Sequence, residues 1–116
     1  LENAISQIKT LRDEFWRHIK ITGDDKDLNQ TLERAGRIAD FFELAELMCI
    51  DALTREESCG CHARVEHIGE DGEAQRHDDD FSFVAAWQYS GNMSMPVLYK
   101  EDLHFEFVRP STRNYR

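Results

Sequence analysis

Long hydrophobic runs are missing from this chain, and so is an excess of positive charge. No stretch offers the roughly 20 mostly apolar residues of a membrane-spanning helix, and no secretory leader pattern is present. Lysine and arginine number 14 against 23 aspartates and glutamates, a formal net charge of −9. That balance argues against a nucleic-acid backbone as partner and fits a wet surface or a face that meets a basic partner. Cysteine is scarce: Cys49, Cys59 and Cys61 make an odd count, and one glycine separates the last two. Reduced thiols in a cytoplasmic setting are the simpler reading than a disulfide framework. The glycines form neither a G-x-G-x-x-G nor a P-loop arrangement, so no cofactor-binding fingerprint lies in the chain.

What is present is globular. Hydrophobic residues make up 41% and charged residues 32% of 116, enough for one domain at most and too apolar for disorder. The stretch from Leu28 to Arg64 organises the rest. Leu28, Leu32, Ala35, Ala39 and Phe42 keep the three-four spacing of one helical face. From Ile38 to Leu53 only Asp40, Glu43, Glu46 and Asp51 interrupt an apolar run, and those acids fall within a sector of roughly 140°. The remaining face is wider than one partner helix covers. Such a helix needs cover on two or three sides.

Around it the chain reads as follows. Residues 1 to about 21 form a first helix with an apolar seam of Ala4, Ile8, Leu11, Phe15 and Ile19, Trp16 beside it, and Lys9, Arg12, Asp13 and Arg17 on the wet side. Thr22-Gly23-Asp24-Asp25 stops it, with an aspartate as N-cap of the next helix, so the two helices form an antiparallel hairpin. The start at Leu1, already in helical spacing without a capping residue ahead, is what a processed or excised chain shows. The second helix is predicted to end near Glu57 or Ser58, with Gly60 just past it. Residues 65–80 read as an exposed loop. Phe81, Phe83, Ala85, Trp87 and Tyr89 then alternate with smaller or polar residues in a strand pattern. Ser90-Gly91-Asn92 is a turn signal, and a second extended run carries Leu103, Phe105 and Phe107 on one side. Two strands alone are marginal and need cover from elsewhere. The tail is basic and extended. The fold class is mainly α, a helical hairpin over 1–64 followed by a loop and a small antiparallel β-hairpin over 65–116.

The densest polar cluster is Arg55, Glu57, Ser58, Gly60, His62 and Arg64, with Cys59 and Cys61 inside it. A metal site on Cys59, Cys61 and His62 is one residue too tight for paired zinc ligands, and His67 and His77 do not complete one. The same run is one residue short of a haem-attachment pattern. A nucleophilic cysteine activated by the nearby His62 lacks an oxyanion donor and a third group. The favoured reading is structural: ion-pairing side chains at a helix exit, where carbonyls lack partners, suited to docking one domain on another. Asp78, Asp79 and Asp80 lack the alternation of a calcium loop and read as a solvated face or a partner for arginines. Trp16 and Trp87 read as core.

The blocks around the helix exit, the later Asp-rich turn and strand, and the terminal Ser-Thr-Arg-Asn-Tyr-Arg resemble the C-terminal region of the flavoprotein subunit of succinate dehydrogenase and fumarate reductase, over nearly the whole chain. The family pattern is Arg-x-Glu-Ser-Arg-Gly-x-His-x-Arg followed by Arg-Asp-Asp. Arg55, Glu57, Ser58, Gly60, His62 and Arg64 match it. Cys59 replaces an arginine, as in the branch with a single two-haem membrane subunit, and His77 is inserted after Arg76.

The resemblance implies a spectrin-repeat-like three-helix bundle whose further helix precedes Leu1, packed on an FAD-binding part of the same subunit. It implies a parent that interconverts succinate and fumarate, passing electrons through FAD to an iron–sulfur subunit and, through a membrane anchor subunit, to quinone. The expected location is cytoplasmic, peripheral on the inner face of the membrane. The family's catalytic and flavin-attaching residues match no position here, so the chain alone is expected to hold no flavin and to be inactive. Self-association of the isolated chain is expected from its wide apolar face. A free-standing helical interaction module without redox activity and a small thiol–metal protein are the competing readings.

Overall fold

A computed structural model describes residues 1–24, 26–91 and 94–111. Asp25 of the predicted stop, Asn92 of the predicted turn and the tail beyond Ser111 lie outside the described residues. The elements run α1 (Glu2–His18), α2 (Gln30–Thr54), a single 3-10 turn (Val65–His67), α3 (Asp78–Phe81), β1 (Phe83–Gln88) and β2 (Val97–Asp102). The chain divides into two compact units, Leu1–Leu53 and Thr54–Arg116. Two long helices followed by a small antiparallel pair agree with the fold class read from the sequence. The helix-exit cluster belongs to the second unit.

In the first unit, α1 and α2 run antiparallel. The Phe15 and Phe42 rings meet edge-on at 5.6 Å, and Arg12 donates to Glu46 at 2.6 Å, so three residues back along α1 correspond to four forward along α2. Trp16, read as core, is 64% exposed and meets the neighbouring Phe15 ring edge-on at 5.2 Å. Ala4, Ile8 and Phe15 lie in the seam as expected, but Leu11 and Ile19 are exposed. Lys9 and Arg12, predicted on the wet side, instead turn toward α2, where both pair with Glu46. The reason is that Glu46 projects from the apolar side of α2, and a half-buried carboxylate there needs cations across the seam.

The helix boundaries differ from expectation at three points. α1 ends at His18, where Ile19 caps it with its N–H on the Phe15 carbonyl at 2.8 Å. α2 begins at Gln30, and its N-cap is Asn29, not an aspartate: Asn29 Oδ1 accepts from the N–H groups of Thr31 and Leu32, both at 3.1 Å. The Asn29 amide also donates to the Thr22 carbonyl at 3.0 Å, tying the connection to the helix start, while Gly23 turns the chain at φ 106°. Leu28 therefore stands outside the helix, 85% exposed. At the far end α2 stops at Thr54, earlier than Glu57 or Ser58, because those two residues are held by the hairpins that follow.

In the second unit, residues 65–80 are not a structureless loop. Ile68 and Ala74 bridge in antiparallel fashion, Gly69 donates to Glu73 at 2.8 Å, and Gly72 takes φ 80° to close the turn. Asp78–Phe81 forms a helical turn, so β1 starts at Phe83 and not at Phe81. β1 pairs with β2 from Phe83 opposite Asp102 to Gln88 opposite Val97. Phe83, Ala85 and Trp87 face inward as predicted, but Tyr89 is exposed and Leu103, Phe105 and Phe107 lie past the end of β2. Among the described residues the only buried hydrophobic side chains are Ile50 and Phe83.

Two stability predictions follow from the first unit. Asn29→Ala loses the cap and costs about 1 kcal/mol in urea denaturation, whereas Asp24→Ala costs far less. Glu46→Ala, which removes the carboxylate that both Arg12 and Lys9 pair with, costs about 1–2 kcal/mol, while Glu33→Ala, at an exposed pair with Arg37, stays within about 0.5.

Candidate functional site

The six residues Arg55, Glu57, Ser58, Gly60, His62 and Arg64 converge around one tight turn. Cys59 and His62 exchange both backbone hydrogen bonds, N–H to carbonyl at 2.9 and 3.1 Å, leaving Gly60 and Cys61 as the loop. Two-residue hairpins of this kind need a positive φ at the first loop position, and Gly60 supplies it at 60°. The turn folds His62 and Arg64 back onto the carbonyl of Arg55, one residue beyond α2. His62 Nε2 lies 2.9 Å from that oxygen and Arg64 Nη1 donates to it at 3.3 Å. An end-of-helix carbonyl without an internal partner is thus satisfied by side chains.

Ser58 and Glu57 are the most buried side chains of the described chain. Ser58 is fully enclosed. Its hydroxyl accepts from the Arg64 N–H at 2.9 Å and donates to the Arg64 carbonyl at 3.2 Å, and its own N–H donates to Gln75 at 2.8 Å. Glu57 is 2% exposed. One carboxylate oxygen accepts from Arg55 Nη1 at 2.5 Å and the other from the His77 backbone N–H at 2.9 Å. A carboxylate taken out of water needs such charged and hydrogen-bonded partners.

Arg55 then extends the network. It donates to the carbonyl oxygens of Phe81 at 3.2 Å and Phe83 at 3.3 Å, and its guanidinium lies 5.8 and 5.3 Å from their ring centroids. Lys100 sits 4.3 Å from the Phe83 ring centroid, so one aromatic ring bears two cations. Nearby, Arg76 grips Asp78 through Nε at 2.9 Å and Nη2 at 2.6 Å, and that hydrogen bond raises its pKa above the ordinary arginine value. Arg76 also donates to the Ser111 carbonyl at 2.9 Å. The His67 and His77 rings meet edge-on at 5.3 Å.

A cleft of about 370 Å³ opens beside this network. Its lining includes the paired charges Arg55–Glu57 and Arg76–Asp78, the apolar Phe81, Phe83, Leu103 and Phe105, and Cys59. Cys61 is exposed, and the two thiols are not joined. Among the described residues no three histidines, cysteines or acids come together as a closed metal site would require. Asp78, read as part of a solvated face or a partner for arginines, pairs with Arg76. The motif reading did not reach Gln75, Phe81, Phe83 or the backbone of His77. The inserted His77 and the Arg76–Asp78 block were the available signals, but what the site uses of His77 is a main-chain N–H, which no side-chain motif encodes.

Chemically, the arrangement is a polar knot whose acids and guanidiniums bind one another, with the free thiol of Cys59 beside it. A dinucleotide cradle needs a strand, a glycine turn and a helix N-terminus in succession, and the described residues form no such unit.

Loss of Glu57 leaves Arg55 and the His77 N–H without their partner in a dry site. Glu57→Ala is expected to cost about 3 kcal/mol in urea denaturation, and Ser58→Ala about 1–2. Glu66 behaves differently. Its carboxyl lies below the ordinary glutamate value because its own backbone N–H, and then Arg64, bind the charged form. A lowered folded-state value contributes stability above the ordinary glutamate value, and that contribution is lost as pH falls through the lowered one. In an NMR titration Glu66 should titrate below a model glutamate, and Glu66→Gln should flatten the acid limb of the stability curve.

The family described as fumarate reductase flavoprotein C-term matches residues 1–115. Neither the curated proteins nor the solved structures compared with the chain match it. The match runs through both units and the whole polar knot, and the chain therefore belongs to the C-terminal domain family of fumarate reductase and succinate dehydrogenase flavoproteins.

Proposed function

We propose that this chain is the docking and structural domain of a flavoprotein that interconverts succinate and fumarate. The family match over residues 1–115 carries the reading. The geometry supports it: Arg55, Glu57, Ser58, Gly60, His62 and Arg64 are spent on one another and on backbone carbonyls, as a rigid abutment requires and as an active site does not. The residues that bind substrate and flavin lie elsewhere in the parent subunit. FAD is held there, and electrons leave it for an iron–sulfur subunit and then a quinone. The chain meets the FAD-binding part directly and the membrane anchor subunit only through others, on the cytoplasmic face. No helix among the described residues is long and apolar enough to cross a membrane. The exposed apolar face of α2 also favours the alternative, a free-standing interaction module.

The test is reconstitution. A flavoprotein lacking this domain is mixed with the 116-residue chain, and succinate-driven dye reduction is measured. The expected result is recovery of activity with the native chain and at least a tenfold smaller recovery with Glu57→Ala, the chain alone being colourless and inactive. An upstream reading frame without a flavin-binding part, or equal activity with and without the chain, overturns the proposal in favour of the interaction module.

A further inference from the structure

We infer that His67 and His77 form a two-histidine site for a divalent transition metal, and that zinc(II) is the ion their spacing fits. The ring centroids stand 5.3 Å apart with the planes at 87°. In a tetrahedral zinc site each Zn–N bond is about 2.0–2.1 Å and a ring centre lies about 1.1 Å behind its nitrogen, so two imidazoles on one ion hold their centroids about 5.2 Å apart. Rotation about a histidine Cβ–Cγ bond swings the ring nitrogens and leaves the ring centre almost in place. The backbone thus sets the spacing already, and only these broad terminal torsions have to turn.

The hairpin between the two residues fixes that spacing. The His67 N–H donates to the Arg64 carbonyl and the Gln75 N–H to the His67 carbonyl, both at 2.9 Å. The Ile68–Ala74 bridge closes the pairing. His77 lies two residues past Gln75, so its side chain returns to the face of His67. Its own N–H is held by Glu57 at 2.9 Å. Main-chain bonds anchor both residues, while their ring nitrogens make no hydrogen bond to any described residue. His62 differs, since its Nε2 lies 2.9 Å from the Arg55 carbonyl. His67 is half-buried and His77 exposed, so an ion reaches the pair from solvent.

Charge favours a cation at this place. Residues 65–80 carry seven acids against one arginine. The imidazoles decide which cation, because they suit zinc and copper, whereas calcium and magnesium take oxygen. No third histidine, cysteine or acid joins the pair among the described residues, so water fills the other positions on the ion. The site is open and exchangeable, unlike a four-ligand structural zinc site. It uses neither Cys59, Cys61 nor His62, and it does not depend on the docking reading.

The test is a zinc chloride titration of the untagged 116-residue chain, followed through the histidine ring resonances in two-dimensional NMR. His67 and His77 should shift together and saturate at one zinc per chain, with His18 and His104 unmoved. Loss of a group that only orients a ligand costs about 10–100-fold in metal affinity, so His67→Gln and His77→Gln should each weaken binding by about tenfold or more. The backbone amide spectrum checks folding, and His77→Gln keeps the main-chain N–H that Glu57 uses. A chain carrying both Cys59→Ser and Cys61→Ser should bind zinc as the native chain does. Should one histidine variant lose its fold, the other and the cysteine-free chain carry the test. Rings that do not move, binding that survives the histidine changes, or binding that disappears with the cysteines overturns the inference.

Discussion

The second unit depends on a buried carboxylate. Glu57 is 2% exposed, and removing a carboxylate from water is costly unless both oxygens find strong donors. Arg55 supplies one and the His77 N–H the other. These two demands fix much else. Arg55 must stay beside Glu57, and from there its remaining donors reach the carbonyls of Phe81 and Phe83. His77 must present its main chain, which sets where the Asp78–Phe81 turn begins. The chain beyond α2, the acidic turn and the start of β1 are thereby assembled around a single charge, with Ser58 locking the hairpin that returns to Arg64.

Such a unit gets its order from hydrogen bonds more than from a hydrophobic core. Buried polar networks of this kind are stable when every member is satisfied and fail when one is not. Among the described residues no buried side-chain nitrogen or oxygen lacks a partner. A knot satisfied in this way is stiff, and stiffness is what a docking surface needs and what a reacting group does not. The first unit is its opposite. Its seam holds by a few apolar contacts and the Glu46 ion pairs, and large side chains on α2 remain in solvent.

Periodicity carried the long-range features. Three-four spacing located both helices, two-residue alternation located β1 with Phe83, Ala85 and Trp87 inward, and the sheer number of apolar residues between Ile38 and Leu53 foretold that α2 would be only partly covered. These properties follow from the backbone repeat, which is local and independent of what lies across the interface. The cluster from Arg55 to Arg64 was legible as a polar site for a similar reason, since its residue types and glycine are written in order along the chain.

Where each element stops, and what each charge does, was decided by groups distant in sequence. Asn29 caps α2 because its side chain also reaches Thr22 across the connection. Arg12 leaves the wet side because Glu46, 34 residues away, is half-buried. α2 ends at Thr54 and residues 65–80 fold into a small hairpin because Glu57 and Ser58 bind His77 and Gln75. The sequence by itself determined the elements, their order and the chemistry available at the helix exit. Only the tertiary structure decided boundaries and pairings, because a buried charge chooses among all the donors that folding brings near it, main-chain N–H groups included.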